Sequence, residues 1–229
     1  MRWNRVLALV GLLLPASVQA QESFKVEPLK EAPPSALAGP IKETLNAEGI
    51  RIVDDQGKPY ADIWFRKATP AAGKPAGPQG PILFPVLKTG ELLGALRFPE
   101  EGRDFRDQAI SKGVYTLRYG LQPMNGDHLG ASPFRDFALL LPAAKDKTLG
   151  DLAQKPLHDE SAESAGTSHP AILMLLEAPA SASKEGPSMV HDEEKNTWGV
   201  VSTLNLVPKG ETAASPLPVQ LVVIGVAAN

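Results

Sequence analysis

Residues 50–67 read Ile50-Arg51-Ile52-Val53-Asp54-Asp55-Gln56-Gly57-Lys58-Pro59-Tyr60-Ala61-Asp62-Ile63-Trp64-Phe65-Arg66-Lys67. Two runs rich in β-branched and aromatic residues flank Asp54-Asp55-Gln56-Gly57, a turn-forming stretch. The pattern predicts a β-hairpin, with strands at Ile50–Val53 and Tyr60–Lys67. Alternation in the second strand puts Ala61, Ile63 and Phe65 on one face. Tyr60, Asp62, Trp64 and Arg66 share the other.

Working outward, similar short runs occur at Ile82–Leu87, Glu91–Phe98, Val114–Leu121, Phe137–Leu141, Ala171–Glu177, Thr197–Val207 and Val219–Val226. In Val114–Leu121 the inward set is Tyr115, Leu117, Tyr119 and Leu121, with Thr116 and Arg118 opposite. Ala138–Leu141, Ile172–Leu176 and Leu221–Val226 are apolar on both faces, as in strands covered on both sides. Helical signals are few. Ile41–Glu48 follows Pro40 and precedes Gly49, which suits a short helix, and residues 147–165 are the other candidate. The stretches 68–81, 178–188 and 208–218 are rich in Pro, Ala, Ser and Gly, and 68–81 reads as a flexible surface loop. These elements predict a mainly β chain. The expected fold is an antiparallel β-sandwich of short strands with one or two short helices, and a β-barrel is the alternative. Residues 41–229 form its single domain, behind an irregular lead-in at 21–40.

Composition agrees. The chain has 229 residues, of which 20 are glycine and 22 proline, favouring turns over long helices. A formal net charge of -3 gives no electrostatic footprint for nucleic acid. With no cysteine, disulfides, thiolate nucleophiles and cysteine-bound metals are excluded.

The first 20 residues have the layout of a secretory signal peptide. Arg2 and Arg5 supply the positive end, Val6–Leu14 the apolar stretch, and Val18-Gln19-Ala20 a cleavage site before Gln21. The expected location is periplasmic or extracellular and soluble, with no membrane span after signal removal.

No Gly-x-Ser-x-Gly elbow, His-Glu-x-x-His pair, phosphate-binding loop or dinucleotide fingerprint occurs. The balance leans away from an enzyme. The densest polar stretch is Asn125-Gly126-Asp127-His128-Leu129-Gly130, followed by Ser132-Pro133-Phe134-Arg135-Asp136-Phe137. One reading makes it a ligand-binding loop presenting Asp127, His128, Arg135 and Asp136, since Arg grips carboxylates and His with Asp binds metals. The architectural reading has Asp127 or Asp136 capping backbone amides and Arg135 pairing with Asp136 or a neighbouring carboxylate. His158 and His191 each precede acidic residues and could complete a divalent-metal site with His128 and Asp127. His169 reads as a packed histidine, and His191–Lys195 as a solvated hairpin tip. Trp64, on its mixed face, is a candidate for stacking on a ligand; the alternative is that it packs beneath the 68–81 loop, with Trp198 in the core beside Val200 and Leu204. Glu100, Glu101 and Asp104 read as surface turn residues. Phe105-Arg106-Asp107 recurs at Phe134-Arg135-Asp136, an echo at the level of chance.

From Gly49 to about Leu141 the chain resembles uncharacterised exported bacterial β-sandwich proteins of unknown function. The resemblance is carried by Gly49–Asp54, Asp62–Phe65, Gly113–Tyr119 and Gly126–Phe137. It implies export and a sandwich, and no activity.

Three functions follow as expectations. The first is a non-catalytic exported protein binding a partner protein or a small ligand through the 125–137 loop, with no cofactor. The second is a metal-binding or metal-dependent protein built on His128 with Asp127 and one or more of His158, His169 and His191. The third is a carbohydrate hydrolase, for which no carboxylate pair can be named.

Overall fold

The computed structural model describes residues 23–124, 132–182 and 186–226. The signal-like segment 1–20, along with Asp127 and His128, lies outside the described residues.

The expected hairpin is present. Strand β2 (Gly49–Val53) pairs antiparallel with β3 (Pro59–Phe65). Asp54 closes the turn by accepting the Gln56 and Lys58 amides on Oδ1, and Gly57 takes a φ of 78°. Such a backbone is cheap for glycine, which has no Cβ to clash. The lead-in is not wholly irregular: β1 (Lys25–Leu29) forms a strand along β2. Helix α1 (Gly39–Thr44) starts earlier and ends sooner than expected, with Pro40 in its first turn.

The sheet continues through β5 (Leu92–Phe98), β8 (Gly113–Leu121), β9 (Asp136–Pro142), β10 (Ile172–Glu177), β13 (Ser215–Ile224), β12 (Thr197–Pro208) and β11 (Ser188–Asp192). A short strand β4 (Thr69–Ala71) lies parallel beside β12, so the head of the expected 68–81 loop is tied down. Strands β6 (Gly102–Arg103) and β7 (Ala109–Ile110) form a separate small ribbon. The fold is mainly β, but the two separate sheets of a sandwich do not form. Ile172–Met174 of β10 pair with β9, and Leu175–Glu177 pair with β13, so one strand joins both halves. The result is one large, curled, mostly antiparallel sheet, a half-barrel. Its ends approach each other where the Phe24 ring lies 5.7 Å from both Tyr60 and Trp198.

Three apolar clusters hold the fold. The main core takes Ile63, Leu96, Leu117, Leu140, Leu173 and Leu221 from the inner face. On the outer face, Ile41 of α1 packs with Leu45, Trp64 and Leu92. Helix α2 (Gln154–Ala165) covers the outer face farther along, where Leu157 meets Phe137, Leu139, Leu141 and Met174. The doubly apolar strands are thus covered on both sides, as their sequences predict.

Two expectations fail for local reasons. Ile82–Leu87 is a series of turns, because the Leu83 and Phe84 amides donate to the Asp136 carboxylate instead of to a strand. Its side chains still fill the main core, which is why the run is apolar. Residues 147–153 are not helical. Arg118 takes the Thr148 and Gly150 carbonyls, and the Leu152 amide turns to the Gly90 carbonyl. Helix α2 ends at Gly166, with a φ of 62°.

Candidate functional site

A cleft of ≈ 330 Å³ opens on the outer face, beside α2. Its floor is hydrocarbon: Phe105, Leu121, Phe137, Leu139 and Ile172. The Phe105 and Phe137 rings lie 6.3 Å apart at 47°. The rim carries Arg106, His158, Asp159, Ser168 and His169, and Gln122 and Pro123 close one side.

The sequence fixes these walls through one aspartate. Asp104 is 1% exposed, not the surface turn residue its neighbours suggest. Its carboxylate accepts the Arg106 and Gln108 amides, the Gln108 side-chain amide and the Ile172 amide. The Phe105 amide returns to the Ile172 carbonyl at 2.8 Å, so the 104–108 turn is riveted to the start of β10. Gln108 also donates to the Pro170 carbonyl and accepts from Thr167 Oγ1 at 2.6 Å. Helix α2 is held from beneath by Ser161 Oγ on the Ala171 carbonyl and Ser164 Oγ on the Leu140 carbonyl. Both hydroxyls are buried, so each bond replaces water it has lost. The site is therefore preformed, as small-molecule sites usually are.

Among the rim charges, Asp159 is engaged by Lys155 Nζ at 2.5 Å. The exposed Arg106 guanidinium and the exposed His169 ring have no partner among the described residues. His158, also on α2, is half-buried and is not free.

The candidates from sequence scatter. Asp136 is fully buried and accepts the Leu83 and Phe84 amides at 2.8 and 3.1 Å and the Tyr119 hydroxyl at 2.6 Å. It cannot face a ligand; it organises the 82–87 turns. Burial, then the bond to Asp136, pushes the Tyr119 hydroxyl well above the usual phenol range. Arg135 is half-buried and donates through Nε to the Gln122 carbonyl at 2.8 Å, tying together the two ends of the 122–135 connection. Trp64 is 0% exposed, so the stacking surface read from its mixed strand face does not exist. It lies under the segment around α1 and not under 68–81: Nε1 donates to the Glu31 carbonyl at 2.9 Å, and the Arg97 guanidinium sits 5.3 Å from the ring.

His158 shares the cleft with His169, but His191 stands on β11, stacked on Trp198 at 4.0 Å and 8°. A bulge between Trp198 and Gly199 shifts the register of β12, and Trp198 is half-buried, not a core residue beside Val200 and Leu204. Among the described residues no three His, Asp or Glu side chains converge on a metal position.

Two polar clusters went unseen in sequence. Asp62, fully buried, is gripped by Arg51 Nε at 2.7 Å and Arg97 Nε at 2.8 Å, and both arginines reach on to Glu31. The Arg97 hydrogen bond, outweighing the effect of burial, holds the Glu31 carboxyl below its usual range. The three strand positions are cross-strand neighbours, a signal available once the β2–β3–β5 register is known. Arg118 and Asp146 form a fully buried pair at 2.6 Å, joined by Thr116 Oγ1. Alternation sets Arg118 on the outer face, but nothing local points to Asp146.

Comparison with protein-family models, curated proteins and solved structures finds no match for the chain.

Proposed function

We propose that the protein is exported and non-catalytic, and binds a small apolar ligand in the cleft between α2, the 104–108 turn and the outer faces of β9 and β10. The observation that supports this is the preformed hydrocarbon floor beneath a polar rim, the usual composition of a small-molecule site. Phe137, at the end of the 125–137 stretch, lines it, together with Leu121, Gln122 and Pro123 just before that stretch. Export rests on residues 1–20, and mass spectrometry of protein recovered outside the cytoplasm is expected to find a chain starting at Gln21. A start at Met1 would count against it.

The cleft is tested by the thermal midpoint of the purified protein in the presence of small apolar compounds, in wild type and Ser168→Trp. Ser168 is an exposed rim residue, so a large ring there obstructs the cleft with a stability change within about 0.5 kcal/mol. At least one compound is expected to raise the midpoint saturably in wild type only. A rise retained in Ser168→Trp would move the site elsewhere. A rise with a divalent metal, lost in His169→Ala, would favour the metal reading, which draws on His158 and His169 sharing the cleft.

A further inference from the structure

We infer that the ligand class of this cleft is an amphipathic monocarboxylate, a single acidic head on a medium-length alkyl or aryl body. The inference rests on the binding reading above. The body follows from the floor. Phe105, Leu121, Phe137, Leu139 and Ile172 offer no hydrogen bonds through their side chains, so a sugar or a free phosphate would lose its water there without replacement. The tilted Phe105–Phe137 pair accepts either a chain or a ring along its edge.

The head follows from the rim. Among the described lining residues the one carboxylate, Asp159, is engaged by Lys155. Arg106 is the one permanent cation among the described lining residues, and it has no ion-pair partner among them. The His169 ring, also without a partner, and the exposed Ser168 hydroxyl stand on the same rim. A guanidinium takes a carboxylate through two parallel N–H donors, which adds direction to charge. A cationic head would meet Arg106 with no free acid among the described lining residues to offset it. A dianionic head would meet too few cations. One negative charge fits.

Calorimetric titration with octanoate, octanol and octylammonium separates the contributions, because the three share one tail. Octanoate is expected to bind at least about tenfold tighter than octanol, with octylammonium weakest. Arg106→Gln is expected to weaken octanoate about tenfold and leave octanol unchanged; Arg106 is exposed, so the variant folds. Ser168→Trp is expected to weaken all three. Octanol binding as tightly as octanoate, or an octanoate affinity indifferent to Arg106→Gln, overturns the monocarboxylate while leaving the apolar cleft standing. Failure of all three to bind, or binding untouched by Ser168→Trp, overturns the cleft reading beneath it.

Discussion

Asp104 and Asp136 do the same physical work at two places. Each is a buried carboxylate standing in for a missing strand, and each collects backbone amides that would otherwise be orphaned. Asp136→Ala leaves two amides without an acceptor and the Tyr119 hydroxyl with only the Phe84 carbonyl, at 3.3 Å. A loss of at least about 2 kcal/mol is expected in urea unfolding, since each stranded buried donor costs roughly 1–3 kcal/mol. Tyr119→Phe reads the same cluster through pH. Its folded-state pKa is raised, so the protonated phenol's contribution is fully present below the unfolded value, about 10. That contribution is lost as pH rises above it. Above pH ~10 the variant's stability is therefore expected to fall less steeply than wild type, by about 1.4 kcal/mol per pH unit. Tyr60 and Tyr115, also raised by burial, keep a residual slope in both proteins. Asp136 was visible in sequence as a member of a dense polar stretch. The architectural reading already gave it the capping of backbone amides; which amides it takes was illegible, because its partners Leu83 and Phe84 lie on a distant apolar run.

Among the elements, period-two alternation was a sound guide wherever a strand pairs with strands. The β2–β3 hairpin and β8 follow it, while β9 and β10 were read from runs apolar on both faces. It misled at Ile82–Leu87, where apolar character reports burial and not conformation. It was silent for β1, whose Lys25-Val26-Glu27-Pro28-Leu29 carries too little apolar residue to stand out; pairing with β2 makes it a strand. The cleft was illegible because its walls come from five separate segments, two of which, the 104–108 turn and the run into β10, are joined by Asp104 and Gln108. Helix α2 begins late because Arg118 and Gly90 claim the preceding backbone. Gly90 sits at a φ of 86°, and a Cβ there would lie 2.1 Å from the Leu152 carbonyl oxygen. Gly90→Ala is thus expected to cost about 2 kcal/mol or more, through strain as well as crowding. Amide exchange at Leu152 is expected to accelerate with it. Unchanged stability would mean that the 147–153 segment yields freely.

For the whole molecule, closure depends on rings. From Trp198 a run of edge-to-face contacts passes through Phe24, Tyr60 and Phe98 to Tyr115, crossing the gap between the two ends of the sheet. Phe24→Ala is expected to cost about 1–3 kcal/mol, less than a fully buried phenylalanine, which costs roughly 3–5. Emission from half-buried Trp198 is expected to shift to the red, with Trp64 unaffected in its separate cluster. Counting strands in the sequence predicted a mainly β chain correctly. It could not choose between two sheets and one curled sheet, since that depends on β10 dividing its length between β9 and β13.

The parallel pairing of β4 with β12 has a kinetic consequence. Thr69 meets Leu206, so a three-residue strand from the first third of the chain must wait for the last third before it can dock. Closing so long a loop is an entropic toll that local hairpins never face. Folding is therefore expected to lag behind synthesis, on the milliseconds-to-seconds scale of chains dominated by distant contacts. Until β4 arrives, that margin of β12 stays open to other chains, and the nascent protein has its greatest exposure to aggregation there.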